Sequence, residues 1–235
     1  MFDSGIGGVN VLKEFIKKYP HNSYYYYGDT LHVPYGDKDL DSLLNLSTNI
    51  IRFFERLKVD LIIIACGTIS STCFLKLKKI TSIRIIDIIT PTLEYLQKEN
   101  FNKLLLFGTS RTIDSHIFKK NISGIIEIKT PEFVEMIENN QIDSNVIKKY
   151  LNKYQNIDAL VLGCTHYPLL IKEFKKYLNN KVIIIDMGKI LVNSLTISNK
   201  GKYNLNLYFT KIDDNLINNI NKIIDKNYKL KLIVE

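Results

Sequence analysis

The chain of 235 residues is 46% hydrophobic and 24% charged, which makes it globular, with enough apolar surface for one large domain or two small ones. No apolar run approaches the ~20 residues that cross a bilayer and no basic-then-apolar leader opens the chain; three cysteines cannot all pair, so a reducing cytoplasm is expected. The formal charge of +8 invites a nucleic-acid partner, but the lysines are scattered over helix faces ("KEFIKK", "KEFKKY") and read as solvated surface, so neither nucleic acid nor membrane is expected.

In chain order, the pattern predicts strands at 23–28, 61–66, 83–87, 103–108, 125–129, 159–164, 181–186 and 206–210. Apolar residues three and four apart predict helices at 9–18, 38–57, 70–79, 92–98, 112–120, 143–154, 168–178, 189–195 and 213–225. Near-continuous apolar strands alternating with helices imply parallel sheets covered on both faces, an α/β fold of the doubly wound kind. Ile157 to Thr165 can be laid over Val59 to Thr68 as an internal repeat: two apolar strands, each ending in a cysteine with a threonine close behind. The duplication suggests two pseudo-symmetric lobes with the active site between them, the chain passing from one to the other near Pro91.

Ligands of open parallel sheets bind beyond the carboxyl ends of the strands, where Cys66 and Cys164 both fall. After Cys66 the hydroxyls of Ser70 and Ser71 are expected to cap the next helix, and after Cys164 the helix is expected to open at Pro168. A helix N-terminus favours negative charge, so each thiol is expected to ionise more readily than a free cysteine. Cys73 lies within a helical stretch and reads as packing. His166, two residues after Cys164, is placed to tune the sulfur, orient a substrate or shuttle a proton. "FDSGIGGVNVL" resembles a phosphate-cradling loop but has Asn10 where the third glycine of G-x-G-x-x-G belongs; Asp3 and Ser4 beside glycine amides suit a carboxylate and an ammonium instead. "GDTLHVPYG" (28–36) and "FGTSRTIDS" (107–115) are further polar loops after strands, and no spacing matches a zinc cluster or another metal site.

"FDSGIGG", "YGDTLHVPYG", "ACGTIS", "FGTSRTIDS", "FVEMIEN", "LVLGCTHYPLL" and "YFT" resemble, in this order and over essentially the whole chain, the serial motifs of glutamate racemases in the aspartate/glutamate racemase family. G-C-T-H-Y-P is the most specific of them. The resemblance implies a cofactor-independent isomerase that interconverts L- and D-glutamate for peptidoglycan, one cysteine removing the α-proton while the other reprotonates the opposite face. It places those roles on Cys66 and Cys164, with Asp3 near the first thiol and His166 near the second. Ser4, Tyr35, Gly36, Thr68 and Thr165 match positions that hold substrate, as do Asp3, Gly67 and His166; Thr112 and Glu138 match secondary positions. It also sends the C-terminal strand and helix back to the first lobe, giving lobes of 1–91 plus 200–235 and of 92–199. The family often dimerises, so the resemblance allows a homodimer without fixing the oligomeric state.

Four departures stand out. Gly67 occupies the place of an asparagine whose side chain contacts substrate, a loss worth about 1–3 kcal/mol that implies a slowed enzyme or an altered substrate. Met1 directly precedes Phe2, so the first strand is expected to be clipped almost to nothing. Met187 for serine and Glu135 for proline are expected to be peripheral. An aspartate racemase of the same superfamily and a catalytically weakened binding protein are the alternatives.

Overall fold

The computed structural model describes residues 1–234. The first elements are β1 (Phe2–Asp3), α1 (Gly7–Lys18), β2 (Ser23–Gly28), α2 (Leu40–Arg56), β3 (Leu61–Ile64), α3 (Gly67–Thr72), α4 (Phe74–Leu77), β4 (Arg84–Asp87) and α5 (Ile89–Lys98). Next come β5 (Leu104–Gly108), α6 (Ser110–Asp114), α7 (Ile117–Asn121), β6 (Ile126–Lys129), α8 (Glu132–Glu138), α9 (Ser144–Leu151), β7 (Ala159–Leu162), α10 (Ile171–Tyr177), β8 (Ile183–Asp186) and α11 (Met187–Ser194). The chain closes with β9 (Asn204–Phe209), α12 (Asp214–Ile223) and β10 (Lys229–Leu232). No helix among the described residues is long and apolar enough to cross a membrane.

Two sheets result, and every strand pair in them is parallel. One has six strands in the order β10-β9-β2-β1-β3-β4, the other four in the order β6-β5-β7-β8. The apolar runs explain the arrangement: β5 and β7 are buried along their whole length, as strands covered by helices on both faces must be. β1 is only two residues long, as expected, yet it pairs with β2 through Phe2↔Tyr27 and Asp3↔Gly28 and with β3 through Phe2↔Ile64. Asp3 therefore stands at the carboxyl end of a central strand. β9 joins the six-stranded sheet in register with the tyrosine run.

Helix starts follow local chemistry. Asp39, Asp143, Asp186 and Asp213 each accept a backbone N–H in the first turn of α2, α9, α11 and α12, which satisfies a donor that the helix leaves orphaned. Ser70 and Ser71 do not cap a helix as expected, because α3 begins three residues earlier with Cys66 at its N-cap. After Cys164 a short 3₁₀ turn, Tyr167–Leu170, holds Pro168 and leads into α10. The single helix expected over 70–79 is two, broken at Cys73. Ser71 and Thr72 both donate hydroxyls to the Thr68 carbonyl, competing with the helical ladder at that point. The helix expected over 112–120 also divides, at His116, whose φ of 53° is left-handed.

Sequence periodicity did not mark α8, although Phe133, Met136 and Ile137 carry helical spacing behind Pro131. Phe133 is fully buried and meets Phe107, Tyr150 and Tyr167 edge-on at 5.6, 5.3 and 5.5 Å. This ring fixes the helix whose last residue is Glu138. Phe133→Ala is expected to cost about 3–5 kcal/mol of stability, read by urea unfolding; a loss within 1 kcal/mol or so would mean that the cluster does not hold α8.

Candidate active site

The carboxyl ends of β1, β2 and β3 in one sheet face those of β5 and β7 in the other through the loops that follow them. Cys66 lies just beyond β3 and is 4% exposed. The backbone amides of Ile69 and Thr68 at the start of α3 favour charge on its sulfur. The expected fall in its pKa does not occur. Burial, then the nearby Asp3 carboxylate, push the thiol well above its ordinary value; the two amides pull the other way and are outweighed, and charge on Cys164 adds to the rise. Burial and a neighbouring acid outweigh the helix terminus.

That acid is fully buried. Asp3 Oδ2 accepts from the Gly8 amide at 2.8 Å and from the Thr165 hydroxyl at 3.2 Å, a bond that crosses from one sheet's loops to the other's. The Ser4 amide also favours the charged form of this carboxylate, and Ser4 is itself buried. Burial raises the Asp3 pKa, with the charge of His166 opposing. Oδ1 has no partner, alone among buried side-chain N and O atoms of the described residues. Such an atom costs about 1–3 kcal/mol while it stays unmatched.

Across the cleft, Cys164 follows Gly163 and β7. Its sulfur is 3.6 Å from His166 Nδ1, and His166 Nε2 is 2.6 Å from Glu138 Oε1. Burial works against charge on this imidazole, but the Cys164 sulfur and the Glu138 carboxylate outweigh it and hold the His166 pKa well above its usual value. Burial would raise Glu138 in turn, yet its hydrogen bond to His166 brings it below the usual carboxylate value. Glu138 is tied to the first sheet's side as well: the Ile6 amide reaches it at 3.5 Å, and Asn215 Nδ2 donates to its carbonyl at 2.8 Å.

Hydroxyls close the remaining edge. Thr68 and Thr109 share a hydrogen bond of 2.9 Å between their Oγ1 atoms, and Thr109 Oγ1 donates to Thr112 Oγ1 at 3.0 Å. Gly36 lies against Thr109, where a Cβ would come within 2.9 Å of the threonine Cβ. The Tyr35 hydroxyl donates to Asp29 Oδ2 at 2.5 Å, while Thr210 and His32 hold Oδ1 at 2.8 Å each. Asp3, Ser4, Cys66, Thr68, Cys164, Thr165, His166 and Glu138 thus converge, with Tyr35, Gly36 and Thr112 on the rim. Thr109, Asp29 and Tyr26 escaped the sequence reading. Thr109 and Asp29 sit inside the polar loops it singled out; Tyr26, whose hydroxyl donates to the Gly5 carbonyl at 2.5 Å, was hidden in a run that reads only as strand.

The glycines of the site are close-approach positions. A Cβ on Gly7 would lie 2.5 Å from Thr165 Oγ1, and one on Gly67 would lie 2.6 Å from the Gly163 carbonyl oxygen and 3.6 Å from Met187 Cε. Met187 is therefore not peripheral: it is 1% exposed and packs beside Gly67. With Asn10, Lys13, Cys164, Thr165 and Asp186 it also lines a cleft of about 150 Å³ that opens on the Cys164 side of the site. Among the described residues no three His, Cys, Asp or Glu side chains gather as metal ligands; the cysteines are all free thiols, and Cys73 is packed in the core.

Two parallel α/β sheets whose strand ends present one cysteine each, one backed by a carboxylate and the other by an imidazole, define the architecture of an amino-acid racemase. The model of the Asp/Glu/Hydantoin racemase family matches residues 35–195. A glutamate racemase of Aquifex pyrophilus is 34% identical over an alignment of 244 residues that covers 99% of this chain and 96% of the relative. The crystal structure of glutamate racemase from Francisella tularensis in complex with D-glutamate superposes with a TM-score of 0.85 at 28% identity, covering 100% of this chain and 95% of that one. The Campylobacter jejuni glutamate racemase structure gives 0.83 at 30% identity, covering 94% and 95%. The chain belongs to the Asp/Glu/hydantoin racemase family and is an isomerase of that family.

The paired shifts set a pH window for the His166–Glu138 contact. His166 is raised from 6.5, so its contribution to stability is complete below that value and is lost as pH rises through the folded pKa. Glu138 is lowered from 4.5, so its contribution is present above that value and is lost as pH falls through the folded pKa. The stability difference between wild type and Glu138→Gln is expected to peak between these two ordinary values, at about 3 kcal/mol at most for a partly exposed carboxylate, and to shrink at alkaline pH. Denaturant titrations across pH measure it; a pH-independent difference would show that the pair is not ionic.

Proposed function

We propose that this chain interconverts L- and D-glutamate by a two-base proton transfer, and so supplies D-glutamate for peptidoglycan. The single observation that carries the reading is the pairing of Cys66 with Asp3 and of Cys164 with His166 on facing strand ends. The substrate assignment rests on similarity to proteins named glutamate racemase over nearly the full chain. We place the lobes at 1–91 plus 200–235 and at 92–199, with the boundary inside α5, so that one helix links them.

An α-carbon is inverted by losing its proton on one face and gaining one on the other, which demands a base and an acid on opposite sides that exchange roles with direction. Two thiols do this without preference, since each product state is the other's starting state. The carbon–hydrogen bond breaks toward one thiolate as the other sulfur–hydrogen bond gives its proton to the opposite face. No oxidation changes, and the enzyme returns with its thiol and thiolate exchanged. The elevated pKa of Cys66 makes its thiolate a strong base once formed, and the imidazolium of His166 steadies charge at Cys164. The unmatched Asp3 Oδ1 is an acceptor waiting for the substrate ammonium. Ser4, Tyr35, Gly36, Gly67, Thr68, Thr112 and Thr165 surround the site as substrate contacts. The near-complete burial of both sulfurs excludes water, which strengthens every charge interaction around a carbanion-like transition state.

The purified protein without added cofactor, given either enantiomer of glutamate in D2O, is expected to exchange the α-proton by NMR and to lose optical rotation. Cys66→Ser or Cys164→Ser is expected to cut racemisation by about 10²–10⁴-fold. Aspartate tested in parallel is expected to react far more slowly; exchange of aspartate but not glutamate would reassign the substrate, and silence with both would reject racemase activity.

A further inference from the structure

Two departures from the racemase pattern, Gly67 and Met187, lie 120 residues apart in the chain and meet at one spot. Gly67 is the residue after Cys66, and Gly163 is the residue before Cys164. The hydrogen that replaces a side chain on Gly67 points at the Gly163 carbonyl, so the two cysteine-bearing loops touch backbone to backbone. A Cβ would sit 2.6 Å from that oxygen, inside any allowed contact, and the obstacle is main chain rather than the end of a flexible side chain. Gly163 is itself anchored: its N–H donates to the Phe107 carbonyl at 2.8 Å, and it too is a close-approach glycine, whose Cβ position lies 2.6 Å from that carbonyl and 2.9 Å from Leu106 Cδ1. The Met187 methyl, 3.6 Å from the same point, closes the space beside the contact with apolar surface.

We propose that Gly67 is a positioning residue that sets the spacing of the two thiols by letting their loops make backbone contact, with Met187 filling the volume beside it. This goes beyond the expectation that Gly67 merely lacks a substrate-binding side chain: in this chain the position serves closure, and only side-chain polar contact from residue 67 has been given up. The inference rests on the racemase reading above, and it concerns the distance across the gap rather than the identity of the acids and bases. Relieving the clash needs a displacement of about 0.8 Å to reach ordinary contact at 3.4 Å, and misplacement of about 1 Å in a site of this kind costs on the order of 10²-fold in rate.

The test compares Gly67→Ala, Gly67→Asn, Met187→Ser and the double variant Gly67→Asn/Met187→Ser, with glutamate in both directions. Because the Cβ causes the clash, Ala and Asn are expected to lose about the same kcat, about 10–100-fold, with KM changed less than about threefold and the thermal midpoint lowered to a similar extent in both by the overpacking. Met187→Ser is not expected to rescue Gly67→Asn, since the blocking atom is the Gly163 carbonyl. Wild-type turnover by Gly67→Ala, an Asn variant as fast as wild type, or full recovery in the double variant would each overturn the proposal. An inactive wild type would instead overturn the racemase reading itself. Should the variants fail to fold, a crystal structure of the wild-type chain with glutamate bound decides: the Gly163 carbonyl is expected against Gly67, and loops parted enough to admit a Cβ at 3.4 Å or more would refute it.

Discussion

The distance at which two backbones can pass governs this molecule. The carboxyl ends of the two sheets meet through loops that carry the reactive side chains, and the seam between them is made where glycine removes the obstacle: Gly7 beneath Thr165 and Gly67 against Gly163. Glycine loses more entropy on folding than other residues, so a cluster of them at a buried seam has a cost. What offsets it is contact. The Asp3–Thr165, Thr68–Thr109 and Ile6–Glu138 hydrogen bonds all cross the seam, and none would form if side chains held the sheets apart.

Close approach also organises the electrostatics. Asp3, Cys66, Cys164, His166 and Glu138 sit in or beside a largely dry pocket, where each charge is felt strongly by the next. The two halves are unlike in this respect. On the Cys66 side a carboxylate raises the thiol; on the Cys164 side an imidazole held by Glu138 stands ready to balance negative charge. The chain duplicates a strand-end cysteine and then surrounds its two copies with opposite partners, so the two sulfurs sit in unlike fields.

Much of this was legible in the residues. Apolar strands alternating with amphipathic helices announced parallel sheets, and the repeated strand-end cysteine pointed at the site, because buried parallel strands carry a strong compositional signal. β1 is too short to show a period and was foreseen only through the resemblance; β2 and β3 flank it and hold it. What escaped was set by contacts distant in sequence. β10 has the alternating pattern "KLKL" but lies on the sheet edge among charged residues. The break at Cys73 depends on two hydroxyls sharing one carbonyl, and the rise in the Cys66 pKa depends on Asp3 arriving from 63 residues away. Gly67 looked like a lost side chain; only the Gly163 carbonyl opposite it gives the absence a purpose.

The loop that carries Tyr35 and Gly36 has its own dependence. Asp29 at its base is gripped by the Tyr35 hydroxyl and by Thr210, a residue 181 positions further on that follows β9. Thr30 repeats the tie by donating to the Lys211 carbonyl. The late segment acts as the anchor post for the part of the rim that Tyr35 and Gly36 provide. This edge of the candidate site is therefore braced only once nearly all of the polypeptide has folded back, so loss of the Thr210 and Lys211 ties would leave both cysteines in place and the Tyr35 loop slack.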